Sequence, residues 1–124
     1  MTYQIKHLEE EDLVYVRFQG KVQISNIQAS IVDVIAVAKR AACPRILIDL
    51  QEAQSQVSIP DLYALPDFVA DRVREAGGGV RILRAFVVSQ WQKDMQFYED
   101  TSHNRGQHTK VFNDLESAKA WLKQ

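Results

Sequence analysis

The sequence predicts an α/β fold in which four helices pack against a mixed, mostly parallel five-stranded sheet. Two opening runs alternate with the two-residue period of strands. Later aliphatic runs at residues 46–50 and 85–88 are nearly unbroken, as in strands covered on both faces, and residues at helical spacing separate the runs. The predicted order is ββαβαβαβα, in which right-handed crossovers make the pairing parallel and the opening hairpin adds an antiparallel edge.

Composition limits the classes of protein to which this chain can belong. Its 124 residues are 46% hydrophobic and 25% charged, which predicts one packed domain over residues 1–124. Fifteen Lys and Arg against sixteen Asp and Glu give a net charge of −1, so we expect no nucleic-acid partner. The lone Cys43 and the charges within the first twenty residues predict a cytoplasmic protein without a transmembrane segment.

The N-terminal elements are predicted from alternation and capping. Residues 3–8 and 13–18 are predicted strands, joined by an acidic hairpin loop. Ser25 and Gln28 have the spacing of a capping box, so the first helix is expected to begin there and to end before Pro44. Residues 46–50 then form a buried strand, and a polar loop is expected to follow it through residue 57.

The second helix carries an apolar stripe and an internal proline. Ser58 is expected to cap its N-terminus, and the triple glycine at residues 77–79 is expected to end it. Pro66 predicts either a kink or a separate helix that begins at that residue. Four arginines near the end of this helix are expected on the surface, where cations favour the helix dipole. These are Arg72, Arg74, Arg81 and Arg84.

The C-terminal elements continue the alternation of strands and helices. Ser89 and Gln92 mark the start of a third helix after the strand at residues 85–88. Residues 109–112 form the last strand, and Asp114 precedes the fourth helix.

No residue set with a catalytic pattern emerges from the sequence. The triple glycine follows a helix, whereas a phosphate-binding loop precedes one. His103 and His108 lack the spacing of metal ligands on one helical face, and the chain has no Gly-x-Ser-x-Gly elbow. We expect a protein that is not an enzyme and that holds neither a cofactor nor a metal.

Polar residues follow the two central strands of the predicted sheet. In an open α/β sheet, the loops at the carboxyl ends of the strands build the ligand crevice. We therefore expect a binding edge at this end of the sheet. Its candidate residues are Gln54, Ser55, Gln56, Ser89, Gln90 and Trp91.

The pattern as a whole resembles the STAS superfamily, and more closely its SpoIIAA-like branch, which is often grouped with SEC14-like lipid-binding domains. The resemblance covers nearly the whole chain. It is carried by the hairpin that ends at Gly20, the helix from Ser25, the strands at residues 46–50 and 85–89, and residues 111–122. It implies a non-enzymatic regulatory or protein-interaction module.

Ser58 has two interpretations. In phosphorylatable members of the family, an Asp-Ser-Ser-Gly type of turn opens the corresponding helix, whereas residues 57–60 of this chain are Val-Ser-Ile-Pro. Ser58 matches the acceptor position, but the aspartate, the second small residue and the glycine are missing. Ser58 is therefore a candidate phospho-acceptor or a helix cap in a module without a phosphoserine switch.

Two functions from different classes follow. The first is an interaction module that binds a protein partner or a second copy of itself, with Tyr63 and Phe97 as exposed aromatic residues beside Pro66. The alternative, implied by the SEC14-like grouping, is a binder of a small apolar or lipid-like ligand. Its pocket is expected near Pro66. The candidate pocket residues are Leu65, Phe68, Trp91 and Met95.

Overall fold

Five strands and three helices are defined in the computed structural model, which describes residues 3–77, 82–89 and 108–123. The predicted helix that begins near Ser89 lies outside the described residues, and the remaining elements occur in the predicted order. In chain order the elements are β1 (Tyr3–Leu8), β2 (Leu13–Val22), α1 (Ile24–Ala41), β3 (Arg45–Ser55), α2 (Ile59–Glu75), β4 (Leu83–Val87), β5 (His108–Phe112) and α3 (Leu115–Leu122).

The strands follow one another across the sheet in the order β1-β2-β3-β4-β5. β1 and β2 form an antiparallel hairpin, and the pairs β2–β3, β3–β4 and β4–β5 are parallel. The predicted mixed, mostly parallel sheet of five strands is confirmed. β1 is an outer strand of six residues, and Gln4 and Lys6 are exposed on it.

Both faces of the sheet are covered by helices. On one face, a buried cluster joins β2, β3 and β4 to α3. The alternate residues of the same strands point to the opposite face, where Val14, Val16 and Phe18 pack with Val34 of α1. The helix α2 packs on α1 on that second face. The buried cluster under α3 consists of Leu13, Leu47, Ala85, Val87, Ala118 and Leu122.

The helix α1 begins earlier than its sequence pattern predicts. Its first helical residue is Ile24, and Oδ1 of Asn26 accepts a hydrogen bond of 2.9 Å from the backbone N–H of Gln23. The expected capping box at Ser25 is therefore wrong, because an amide side chain three residues after Gln23 already satisfies this end of the helix. The predicted end before Pro44 is confirmed, since the helix ends at Ala41.

The strand β3 is longer than predicted and includes part of the expected polar loop. Residues 51–55 continue the strand because β2 also extends, so that Gly20 lies opposite Ala53 and Val22 lies opposite Ser55. Backbone pairing with a longer neighbour outweighs the polar composition of this segment. Gln51 and Glu52 are exposed there, so polar side chains are compatible with this part of the strand.

The helix α2 is continuous across its proline. Ile59–Glu75 forms one helix with Pro66 inside it, so the expectation of a separate helix that begins at Pro66 is wrong. The Pro66 side chain is fully buried. Burial of apolar surface stabilises a helix that contains an internal proline, although the ring removes one backbone donor.

Candidate functional site

A cavity of about 420 Å³ lies between the sheet and the helices α1 and α2. Leu62 and Leu65 of α2 pack against Ile27 and Ile31 of α1, and Phe86 of the sheet joins the same cluster. The cavity volume lies within the range of roughly 300–1,000 Å³ that is typical of small-molecule sites. The fold therefore holds a partly open space of ligand size on one face of the sheet.

Most of the cavity wall is apolar. Aliphatic side chains and two phenylalanines from five elements contribute to it, so a ligand in this space would lose contact with water along most of its surface. The apolar lining residues of the sheet are Val16, Phe18 and Val22 of β2, Ile46, Ile48, Leu50 and Ala53 of β3, Phe86 of β4, and Val88 directly after β4. Those of the helices are Ile27, Ile31 and Val34 of α1, and Leu62, Leu65 and Val69 of α2.

Four polar residues complete the described wall: Ser30, Gln54, Arg84 and Ser89. Gln54 and Ser89 are exposed, and they lie at the carboxyl ends of β3 and β4. Ser30 and Arg84 are buried. The Ser30 hydroxyl donates a hydrogen bond of 2.7 Å to the carbonyl of Ile27 within its own helix.

Arg84 is the charged residue among the described residues of this wall, and only 8% of the residue is exposed. Its neighbour in β3 is Ile46, and its neighbour in β5 is Thr109. Nη2 of Arg84 donates a hydrogen bond of 3.0 Å to Oγ1 of Thr109. The expectation that Arg84 lies on the surface is wrong, because β4 begins at Leu83 and its alternation turns Arg84 to the same face as Phe86.

Ser58 caps α2, as predicted. Its Oγ accepts a hydrogen bond of 3.3 Å from the backbone N–H of Asp61, which lies in the first turn of the helix. Ser58 is also exposed. The contact accounts for a serine at this position through helix capping alone.

The predicted binding edge lies beside the cavity mouth. Gln54, Gln56 and Ser89 are exposed there, and Gln54 and Ser89 border the cavity. Ser55 belongs to β3 through its backbone, which pairs opposite Val22. Gln90 and Trp91 lie outside the described residues.

The residues predicted for an interface or pocket occupy different environments. Tyr63 is 52% exposed on α2, whereas Leu65 lines the cavity. Pro66 is buried and does not belong to the cavity wall. Phe68 also lies outside the wall, with the Arg72 guanidinium 4.9 Å from its ring centroid. Met95 and Phe97 lie outside the described residues.

Sequence reasoning missed the contribution of α1 and of Arg84 to the site. Ile27, Ile31 and Val34 were indistinguishable in the sequence from an ordinary core-facing stripe. The sequence did indicate where Arg84 lies, because Arg84, Phe86 and Val88 recur with the two-residue period of one strand face.

A separate polar group lies under the opposite face of the sheet. The Tyr15 hydroxyl donates a hydrogen bond of 2.6 Å to Oδ2 of buried Asp49, and the backbone N–H of Gln51 donates to Oδ1 of the same carboxylate at 3.0 Å. Burial, and then the hydrogen bond to Asp49, raise the pKa of Tyr15 to about 12. These hydrogen bonds satisfy the buried carboxylate, so the aspartate of the Ile-Asp-Leu segment has a structural role.

One group of possible metal ligands occurs in the part of the chain that the structure describes. Donor atoms of His7, Asp12 and Cys43 lie within 4.8 Å of one another. Oδ2 of Asp12 already accepts a hydrogen bond from Arg45 at 3.0 Å, and the Cys43 sulfur lies 3.3 Å from the carbonyl oxygen of Asp12. Burial raises the pKa of the Cys43 thiol, which disfavours the thiolate that a metal requires.

The architecture has close counterparts among solved structures. The anti-sigma factor antagonist SpoIIAA in its unphosphorylated form aligns over 93% of this chain and 91% of its own, with a TM-score of 0.56 and 10% identity. The Bacillus cell fate determinant SpoIIAA in its phosphorylated form aligns over 97% of this chain and 98% of its own, with a TM-score of 0.55 and 16% identity.

The chain has the SpoIIAA-like fold. A DUF3478-family protein with a SpoIIAA-like fold from Shewanella loihica also aligns, over 97% of this chain and 91% of its own, with a TM-score of 0.53 and 16% identity. No family model and no curated protein matches the sequence. The predicted resemblance is confirmed at the level of the SpoIIAA-like fold.

Among the described residues, no helix is both long enough and apolar enough to cross a lipid bilayer.

Proposed function

We propose that this chain is a non-enzymatic, STAS-type binding module whose ligand is a small apolar molecule held between the sheet and the helices α1 and α2. The cavity of about 420 Å³ carries the proposal. A partly open apolar space of this volume is of the kind that small-molecule sites use. Occupation by a ligand would restore the contacts that an empty space lacks.

The distribution of polar groups supports a binding role. Gln54 and Ser89 are exposed at the mouth, at the sheet edge where open α/β sheets place their ligands. Among the described residues, the inner wall is apolar apart from Ser30 and Arg84. This combination of an apolar interior and a few placed polar groups is typical of small-molecule sites.

A matched pair of valines on α1 tests the proposal. Val34 lines the cavity and is buried, whereas Val32 is 49% exposed on the same helix. Native mass spectrometry with 1-dodecanol, an uncharged apolar probe, should detect a complex with the wild type and with Val32→Phe. Val34→Phe should weaken this complex by filling the space.

Two results would contradict the proposal. Delipidated wild-type protein that forms no complex with 1-dodecanol and carries no apolar molecule from purification would refute ligand binding. A complex that forms equally well with wild type, Val32→Phe and Val34→Phe would place the probe elsewhere on the molecule.

A second candidate function is protein interaction at the start of α2. The SpoIIAA structures that align with this chain are of an anti-sigma factor antagonist, and Ser58 and Tyr63 present exposed side chains on one short segment. The partner in this proposal is another protein or a second copy of the chain, and the compartment is the cytoplasm. Exposed aromatic residues are frequent anchors of such interfaces.

Substitution at matched exposed positions tests this second candidate. Tyr63→Ala should abolish a purified complex or a dimer, while Val32→Ala, at a similarly exposed position of α1, should leave it unchanged. A monomer at high concentration by analytical ultracentrifugation would exclude the dimer. Retention of an identified protein partner by Tyr63→Ala would exclude this surface.

A further inference from the structure

Three side chains with different metal-binding atoms meet at the end of the sheet where β2 and β3 begin. His7 lies near the end of β1, Asp12 lies in the turn that leads to β2, and Cys43 lies just before β3. The starts of β2 and β3 are neighbours, with Val14 opposite Ile46. The fold therefore brings the three side chains together, and one donor atom of each lies within 4.8 Å of the other two.

Nε2 of His7 is the atom that points to a ligand. It is shielded from water, and the described residues offer it no hydrogen-bond partner, which is costly for a polar atom. Oδ1 of Asp12 lies 3.9 Å away, beyond the range of a hydrogen bond. Two ligands at about 2.0–2.3 Å from one tetrahedral zinc ion are about 3.3–3.8 Å apart. The observed separation therefore suits a shared cation better than a direct bond.

Asp12 and Cys43 are held in place by neighbouring groups. Nη1 of Arg45 donates a hydrogen bond of 3.0 Å to Oδ2 of Asp12, and Oδ1 is the oxygen nearer to His7. The backbone N–H of Cys43 donates a hydrogen bond of 3.0 Å to the carbonyl of Ala38 at the end of α1, a contact that closes many helix ends. The Cys43 sulfur lies 3.3 Å from the carbonyl oxygen of Asp12. Both donor groups are thus oriented by the fold itself.

We propose that His7, Asp12 and Cys43 bind a zinc ion through Nε2, Oδ1 and Sγ. Imidazole, carboxylate and thiolate are all zinc ligands, and the sulfur disfavours magnesium and calcium, which take oxygen ligands. On binding, the S–H bond breaks, a sulfur–zinc bond forms and the proton leaves to solvent. A divalent ion deprotonates a coordinating thiol outright, so the protonated thiol of the metal-free protein does not prevent binding.

The zinc site would tie the opening hairpin to β3. Three protein ligands leave a fourth position for water, and the Asp12 side chain is 64% exposed, so solvent reaches the ion. The three ligands come from separate segments, and no local spacing in the sequence indicates them. None of them lines the cavity, and the inference is independent of the apolar ligand proposed above.

Cobalt(II), which substitutes for zinc in tetrahedral sites, tests the inference on the wild-type protein. A cobalt–thiolate bond gives a charge-transfer absorption, and Cys43 is the single cysteine of the chain. Titration of reduced, chelator-treated protein should give this absorption at one cobalt per chain, and added zinc should remove it. Zinc should also raise the urea midpoint of the wild type, because the ion binds the folded chain in preference to the unfolded chain.

Matched substitutions assign the ligands. Cys43→Ala should lose the stabilisation by zinc. His7→Gln and Asp12→Asn should each weaken cobalt binding by more than about tenfold, since loss of even an outer partner of a metal ligand costs that much. The controls are Glu10→Gln in the same turn and His108→Gln on β5, the opposite outer strand. Both controls should bind cobalt as tightly as the wild type.

Three results would overturn the zinc site. The first is a folded wild type that shows no cobalt–thiolate absorption. The second is one cobalt ion per two chains, in which the cysteines of two copies share the ion. The third is cobalt binding by His7→Gln or Asp12→Asn that is as tight as in the wild type. The first two results come from the wild type alone, so they decide the question even where a variant does not fold.

Discussion

Two adjacent valines allow the open space in this fold to be tested by the sign of a stability change. Val88 lines the cavity, whereas Val87 faces the cluster under α3 and is 0% exposed. Substitution of each by leucine adds the same apolar volume, one methylene group. The two variants therefore differ in the space that receives the larger side chain.

The expected changes have opposite signs. Val88→Leu should raise the free energy of unfolding of the ligand-free protein by up to about 0.8 kcal/mol, because one more methylene leaves water and fills empty space. Val87→Leu should lower it by about 1–3 kcal/mol, because extra volume in a packed core forces strain. The expected difference between the variants is thus about 1–4 kcal/mol.

Equilibrium urea unfolding of delipidated protein measures both changes. The denaturation midpoint should move upward for Val88→Leu and downward for Val87→Leu with unchanged slopes, since a change of slope would indicate a different unfolded state. Destabilisation of Val88→Leu to the same extent as Val87→Leu would refute the reasoning. In that case the space beside Val88 would be unable to accept even one methylene group.

Three further predictions concern residues outside the cavity. Ser58→Ala should lower the free energy of unfolding by about 1 kcal/mol in urea titrations, because the variant loses the cap on α2. The control Ser25→Ala, at an exposed helical position, should leave this free energy unchanged. Equal effects of the two substitutions would argue against the cap. The pKa of Tyr15 is raised to about 12, so its contribution to stability should be complete below pH ~10, the ordinary tyrosine pKa, and should disappear as the pH rises to about 12. The free energy of unfolding measured across this range should decline less for Tyr15→Phe than for the wild type. Identical declines would contradict the assignment. Burial raises the pKa of the Cys43 thiol, so a thiol reagent at pH 8 should react far more slowly with native than with urea-unfolded protein; equal rates would contradict burial of this thiol.

The order of the elements was predictable because it depends on local periodicity. The runs that became β2, β3 and β4 alternate or are continuously apolar, and right-handed crossovers then leave few ways to join them. The Ser58 cap was predictable for the same local reason. Helix and strand ends were not, since the start of α1 and the extension of β3 depend on Asn26 and on pairing with Gly20–Val22.

The cavity itself was beyond sequence reasoning. An apolar stripe on a helix has the same pattern whether it meets a side chain or an empty space, so Leu65 could be named as a pocket residue but Ile31 could not be distinguished from core. Arg84 shows the same limit in another form. A strand boundary placed two residues too late assigned it to the surface, although its alternation with Phe86 was present in the sequence.

The outer position of β1 has a consequence for self-association. An outer strand exposes unpaired backbone groups along its free side, where another sheet can add to it and begin aggregation. β1 has only six residues and exposes Gln4 and Lys6, and short strands with a lysine resist such edge-to-edge growth. We therefore do not expect a second copy of this chain to form a continuous ten-stranded sheet across β1.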